Sequence, residues 1–307
     1  MKQALVTCGV GENDSVIMPS FICRDVLAAI NELCATAIFY DVNKKLEPIG
    51  LDSAPISKAV IAVNYFGFPQ NLEPFKKYCI KSGAKIIEDN AHGFLSRDTD
   101  NQLLGQRTEY GITSFRKSVR TSDGAMLTTS HKDTEIAPQI EFQNSAVSFR
   151  DTALSLFAKI ERSTNVPVLK LTQSATKQVR RIKTGSAMPE IDSSVEETIP
   201  GIPNPNQSSV AKMLAINETN EVARRRNLYN KILPDIVKLG LQPVFSSLEN
   251  GTSPYGFPVY AEHDSQKQLA KLARKHRVTL MTWPNLPKSV LPTAPEYYKQ
   301  IWLLNFL

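Results

Sequence analysis

Strand-like and helix-like stretches alternate at a regular pace through the first half of this chain, which confines it to a sheet built by crossover connections. SVIMPSF, from Ser15, is an apolar strand. RDVLAAINELC follows as a helix, ATAIFYDV as a strand, and, after a polar stretch ending in APIS, KAVIAVNYF as a strand closed by GFP. In the next helix, NLEPFKKYCIKSG, Leu72, Phe75 and Cys79 share one face with lysines opposite, and Gly83 is placed to end it. AKIIEDN is then a strand whose polar residues Glu88 and Asp89 fall at its carboxyl end. In open α/β sheets that edge is where ligands bind. After the turn-rich SRDTDNQLLGQRTEYG, ITSF and GAMLTTS read as two further strands with a lysine loop between them, and the sheet is expected to be mostly parallel.

Beyond about residue 145 the pattern turns helical: VSFRDTALSLFAKIE, and one long helix from about Ser208 through AKMLAINETNEVARRRNLYNKILPDIVKL. Between them IDSSVEETIPGIPNPNQSS, rich in proline, serine and asparagine, is a connector. The tail supplies a strand (YGFPVYA), a helix (SQKQLAKLARKH) and a strand (VTLMTW), enough for a small α+β domain. The expected division is a large α/β domain over 1–145, a connector and long helix over 146–235, and a small C-terminal domain over 236–307. No internal repeat is present.

With 307 residues there is ample chain for a buried core. The cysteines Cys8, Cys23, Cys34 and Cys79 lack the paired spacing of a zinc site, and the apolar part of the first residues is too short for a secretory leader, so a reduced, cytoplasmic setting is expected. No apolar run approaches the roughly 20 residues that span a bilayer. The net charge of +6 is modest, and the densest basic run, KQVRRIK from Lys177, reads as a solvated face. Neither a membrane nor nucleic acid is expected as a partner.

The chemistry is concentrated between Ala84 and Leu127. An aspartate (Asp89), an imidazole (His92), a hydroxyl (Ser114) and a lysine (Lys117) fall at strand ends. That set suits pyridoxal phosphate, which needs an amine for covalent attachment, a carboxylate holding its pyridine nitrogen protonated, and a group packed on the ring face. A lone histidine is ordinarily structural, and its three-residue distance from Asp89 is what raises His92 above that. No GxGxxG, Walker, HExxH or cysteine-cluster motif suggests another chemistry.

PSFIC, VNYFGFPQNLEPF, IIEDNAHG, SFRK with DG seven residues past the lysine, and the late YGFPVY and WPNLP occur in an order that resembles the DegT/DnrJ/EryC1/StrS aminotransferases. The resemblance covers nearly the whole chain and implies an aspartate-aminotransferase-like (fold type I) α/β enzyme using pyridoxal 5'-phosphate. Carried over residue by residue, it implies that Lys117 binds the cofactor covalently and shuttles protons, Asp89 pairs with the pyridinium nitrogen, His92 stacks on the ring and Ser114 donates to the phosphate. The Lys117-to-Gly124 spacing selects Lys117 over Lys85 or Lys132. In GIPNPNQSS, Asn204 matches an asparagine that reaches into the partner subunit's phosphate site, whereas Asn206 stands where arginine is usual. SFRK is also a shorter lysine loop than the common form. A homodimer with the site at the subunit interface follows as an expectation.

In the family, a small-residue turn opens a helix whose backbone amides hold the phosphate. Met1 aligns with the far end of that helix, so that anchor is expected to be missing. The resemblance implies amino transfer, with glutamate as donor, to a nucleotide-linked keto sugar in glycan or polysaccharide synthesis. The alternative is a non-catalytic homologue that binds a sugar nucleotide or a partner subunit. A related dehydratase is the third reading, but those carry histidine in place of the lysine.

Overall fold

The computed structural model describes residues 1–121, 123–130, 193–199 and 205–307. Its first part runs α1 (Lys2–Thr7), β1 (Ser15–Pro19), α2 (Val26–Asn31), β2 (Thr36–Val42), β3 (Pro48–Ile49), β4 (Ala59–Val63), α3 (Glu73–Ser82), β5 (Lys85–Asn90), β6 (Tyr110–Ser114) and β7 (Ala125–Thr129). These strands form one sheet of seven in the order β3-β2-β1-β4-β5-β6-β7. The five inner strands are parallel, and β3 and β7 flank them antiparallel. A mostly parallel sheet was expected, and the antiparallel edges are consistent with it. The lysine loop is too short for a crossover, which needs roughly a dozen residues or more, so β7 folds back on β6 with Ser114 opposite Ala125.

Every residue of β4 is buried, as befits a strand covered on both faces. Ile17, Val60, Ile61, Ile87 and Phe75 are wholly inaccessible, and each such side chain contributes on the order of 1.5–3 kcal/mol through its removal from water. Helix α3 ends as its sequence dictates. Gly83 takes a left-handed conformation (φ 74°) and its N–H closes on the Cys79 carbonyl at 2.8 Å.

The second part contains α4 (Gln207–Leu214), α5 (Glu218–Lys238), β8 (Gln242–Pro243), β9 (Gly256–Tyr260), α6 (Gln266–Lys275), β10 (Thr279–Thr282), α7 (Glu296–Lys299) and β11 (Ile301–Asn305). The long helix expected from Ser208 is two helices. Asn217 accepts a hydrogen bond from the Asn220 N–H and caps a new start there. Helix α5 then continues to Lys238, within one residue of the expected end, and buries Arg225, Tyr229, Ile232 and Ile236 on one stripe. The second sheet, β10-β11-β9-β8, is antiparallel throughout. Its fully buried strand β11 was not anticipated, because IWLLN is a short unbroken apolar run that periodicity assigns to neither helix nor strand. The expected helix at VSFRDTALSLFAKIE, the basic run 177–183 and Asn204 lie outside the described residues. Among the described residues no helix is long and apolar enough to cross a membrane.

Candidate active site

The carboxyl ends of β4 and β5 lie side by side, with Val63 opposite Asp89. Alternation along β5 sends the side chains of Glu88 and Asp89 to opposite faces of the sheet. Asp89 is only 6 % exposed. Its Oδ1 accepts the Ala91 N–H at 2.9 Å, and Oδ2 takes no hydrogen bond from the described residues. Burial raises the Asp89 carboxyl above the usual carboxylate range, an effect opposed by the positive charge of Lys117 and by the Ala91 bond.

Lys117 ends a 3-10 turn, Phe115–Lys117, that begins where β6 stops. Its Nζ lies 3.4 Å from Nε2 of His92. That imidazole is buried and held neutral, its pKa driven well below the usual value by burial and secondarily by the Lys117 charge. Asp89, His92 and Lys117 line one small cavity together with Asn64, Cys23 and Trp283. The enclosed volume is about 30 Å³. Burial dominates at Cys23 too and raises its thiol, with Asp25 adding and Lys117 opposing. Ser114 sits half-buried at the end of β6 and is not among the lining residues.

Aromatic rings surround His92. Tyr255 is parallel to it at 4.6 Å between centroids, Phe66 nearly parallel at 5.8 Å, and Trp283 meets it edge-on at 4.9 Å. The chain between β4 and α3 is bent sharply to bring this about. Phe66 adopts φ 55°, uncommon for a bulky side chain, and Gly67 adopts φ 89°. A Cβ on Gly67 would stand 2.7 Å from the Ser253 carbonyl oxygen and 3.1 Å from that of His92, so only glycine lets these segments meet. The Trp283 segment is tied to the turn after β1 by the Arg24 N–H, which donates to the Asn285 carbonyl at 2.9 Å.

On the other face of β5, Glu88 is fully buried and saturated. It accepts Arg107 Nε at 2.7 Å, the Arg107 backbone N–H at 3.0 Å and Asn64 Nδ2 at 2.8 Å. Arg107 Nη2 in turn donates to Asn64 Oδ1 at 2.9 Å. Asn64 is therefore both a wall of the cavity and a member of this network. Asn64, Cys23, Trp283 and Tyr255 lie in the motifs VNYF, PSFIC, WPNLP and YGFPVY that carry the resemblance, but none was assigned a site role from sequence. Asn64 could have been found as a polar residue closing an apolar strand, the signal that marked Asp89. The others come together only through long-range packing.

The donor set fits pyridoxal phosphate: a lysine amine, a carboxylate with an open oxygen, and a flat neutral imidazole face one space.

Three solved structures illustrate the wider likeness. The aminotransferase TlmJ from Streptoalloteichus hindustanus superposes with a TM-score of 0.64 at 20 % identity, over 99 % of this chain and 76 % of that one. A DegT DnrJ EryC1 StrS aminotransferase from Brucella abortus gives 0.62 at 14 % identity, over 99 % and 77 %. Helicobacter pylori PseC, an aminotransferase involved in the biosynthesis of pseudoaminic acid, gives 0.61 at 14 %, over 99 % and 78 %. At these identities the likeness fixes the fold, that of the pyridoxal phosphate-dependent aminotransferases. The sequence profile of one family matches residues 1–167, more than half of the chain. With that match and this fold, the chain belongs to the DegT/DnrJ/EryC1/StrS aminotransferase family, whose members depend on pyridoxal phosphate.

Proposed function

We propose that this aminotransferase acts on a nucleotide-linked keto sugar, with glutamate as the amino donor, in glycan or polysaccharide synthesis. Support comes from relatives of the same fold whose substrates are of that kind, such as DesI, solved with its TDP-sugar product, and the dehydratase ColD, solved with bound GDP-perosamine. Lys117, rather than the histidine that replaces it in the dehydratases, favours amino transfer. The observation that carries the catalytic part is the convergence of Asp89, His92 and Lys117 on one cavity.

When bound, pyridoxal phosphate supplies an electron sink that acidifies the carbon bearing the amine. Asp89 would hold a proton on the ring nitrogen, Lys117 would bind the cofactor covalently through Nζ and, once released, would shuttle the proton at that carbon. His92 would face the ring as a neutral group that adds no competing positive charge. Ser114 is assigned to the phosphate, as is Asn204 from the partner subunit in a homodimer.

The test is direct. Borohydride treatment of the protein mixed with pyridoxal phosphate should fix the cofactor on the peptide containing Lys117, and Lys117→Ala should abolish the label. Glutamate should then yield 2-oxoglutarate only when a nucleotide-linked keto sugar is present. Absence of the label at saturating cofactor removes the catalytic assignment, and turnover indifferent to the sugar removes the substrate assignment. Light scattering should give twice the mass of one chain.

A further inference from the structure

The imidazole of His92 is a broad, flat group on a short turn after β5, and such a ring can rotate unless something fixes its plane. Tyr255, at the threshold of β9, lies flat against it: ring centroids are 4.6 Å apart and the planes differ by 1°. Tyr255 is itself held on several sides. Its N–H donates to the Phe66 carbonyl at 2.8 Å, and its own carbonyl accepts the N–H of Phe306, just after β11, at 3.2 Å. Arg225, buried on α5, donates through Nη2 to the Ser118 carbonyl at 2.7 Å, one residue past Lys117. The second sheet thus reaches the cavity from behind, through a tyrosine that does not line it.

We propose that Tyr255 is the positioning residue for His92: its ring, on a backbone tied to Phe66 and to Phe306 after β11, sets the plane of the imidazole against which the pyridoxal phosphate ring packs. This rests on the cofactor role given to His92 above, and it adds that the C-terminal sheet is a working part of the cofactor site. Parallel stacking fixes an orientation as well as an energy, so the consequence is directional.

The test has one arm that needs no cofactor. His92 is one of four histidines, so its ring proton resonance can be followed in protein labelled at histidine. Stacked on a phenol, that proton resonates upfield. Tyr255→Met fills the space with a side chain that has no ring, and is expected to move the His92 resonance downfield. Tyr255→Phe retains the ring and is expected to keep the resonance in place. In the second arm, pyridoxal phosphate is added and its induced circular dichroism recorded, a signal that reports how the bound ring is oriented. Tyr255→Met is expected to lose or invert the band and to bind cofactor about three- to ten-fold more weakly, the range that aromatic pair energies give. Tyr255→Phe should keep the band.

An unmoved His92 resonance in Tyr255→Met overturns the proposal, as does an unchanged band in a variant that binds cofactor. If the methionine variant does not fold, Tyr255→Leu, which likewise removes the ring, should shift both signals the same way, and no shift overturns the proposal. If the wild-type protein binds no pyridoxal phosphate, the cofactor reading of the cavity fails while the resonance arm still decides whether Tyr255 sets the imidazole plane.

Discussion

Glu88 and Asp89 are consecutive residues of one strand, both carboxylates and both buried, yet their surroundings are opposite. Glu88 receives a guanidinium, a backbone N–H and an amide within 3.0 Å, which uses its acceptor capacity. Among the described residues, Asp89 receives a single hydrogen bond, from the Ala91 N–H. The saturated side is structural: it fastens the ends of β4 and β5 to the loop before β6. The open side has an acceptor to spare. Desolvating a carboxylate without full compensation is costly, and the fold tolerates this at Asp89 where a ligand group can complete it.

The largest effect should come from breaking the saturated side. Arg107→Met leaves Glu88 buried without its cation and is expected to cost about 3–5 kcal/mol, read as a fall in the urea midpoint. Combining it with Glu88→Gln should return much of the loss, since the buried charge goes with its partner. If the single variant is no less stable than wild type, the two faces do not differ as described.

Asp89→Asn should behave in the opposite manner. Burial raises this carboxyl's pKa, so the folded protein holds the proton more tightly than the unfolded chain does. Ionisation therefore costs stability as pH rises from the ordinary carboxylate value through the raised one, and the amide removes that cost. The melting temperature of the cofactor-free protein at pH 7 should hold or rise, while amino transfer falls on the order of a hundred-fold. A destabilised Asn variant with normal turnover would reverse the assignment.

His92 sharpens the open side in acid. Its pKa is lowered by burial and by Lys117, so the unfolded chain takes up a proton that the folded one refuses. The resulting stability is complete above the ordinary histidine value near 6.5 and is lost as pH falls toward the lowered one, by up to about 1.4 kcal/mol per pH unit. Melting curves between pH 7 and 5 should fall less steeply for His92→Gln than for wild type.

The smallest effect belongs to the exposed end of the same strand. Lys85 pairs with Glu109 at 3.0 Å with 45 % and 25 % of the two side chains exposed. Lys85→Met should change stability by less than about 1 kcal/mol. A loss as large as that of Arg107→Met would mean that burial is not what separates these ion pairs.

Much of this was legible beforehand, for local reasons. The strand-helix alternation from Ser15 to Asn90 is written in apolar runs and in Gly83, so β1, β2, β4, β5 and α3 could be placed. Asp89 could be selected because a ligand edge is a property of sequence order, whereas Lys117 was selected through a spacing to Gly124 that the family resemblance supplies. Asn217 was legible in principle as a cap, yet the apolar pattern running through it argued for one helix. β11 was not legible, because five apolar residues without a period do not state their partner.

What the sequence by itself determined is the parallel core and the chemical inventory at its carboxyl edge, since periodicity, caps and residue type act over a few positions. Only the tertiary structure decided that Glu88 is saturated and Asp89 open, that β7 turns back on β6, and that Trp283 and Tyr255 close around His92. Those outcomes depend on contacts such as Arg107 with Glu88 and Tyr255 with His92, between residues distant in the chain, whose pairing is selected by burial and hydrogen-bond satisfaction across the whole fold.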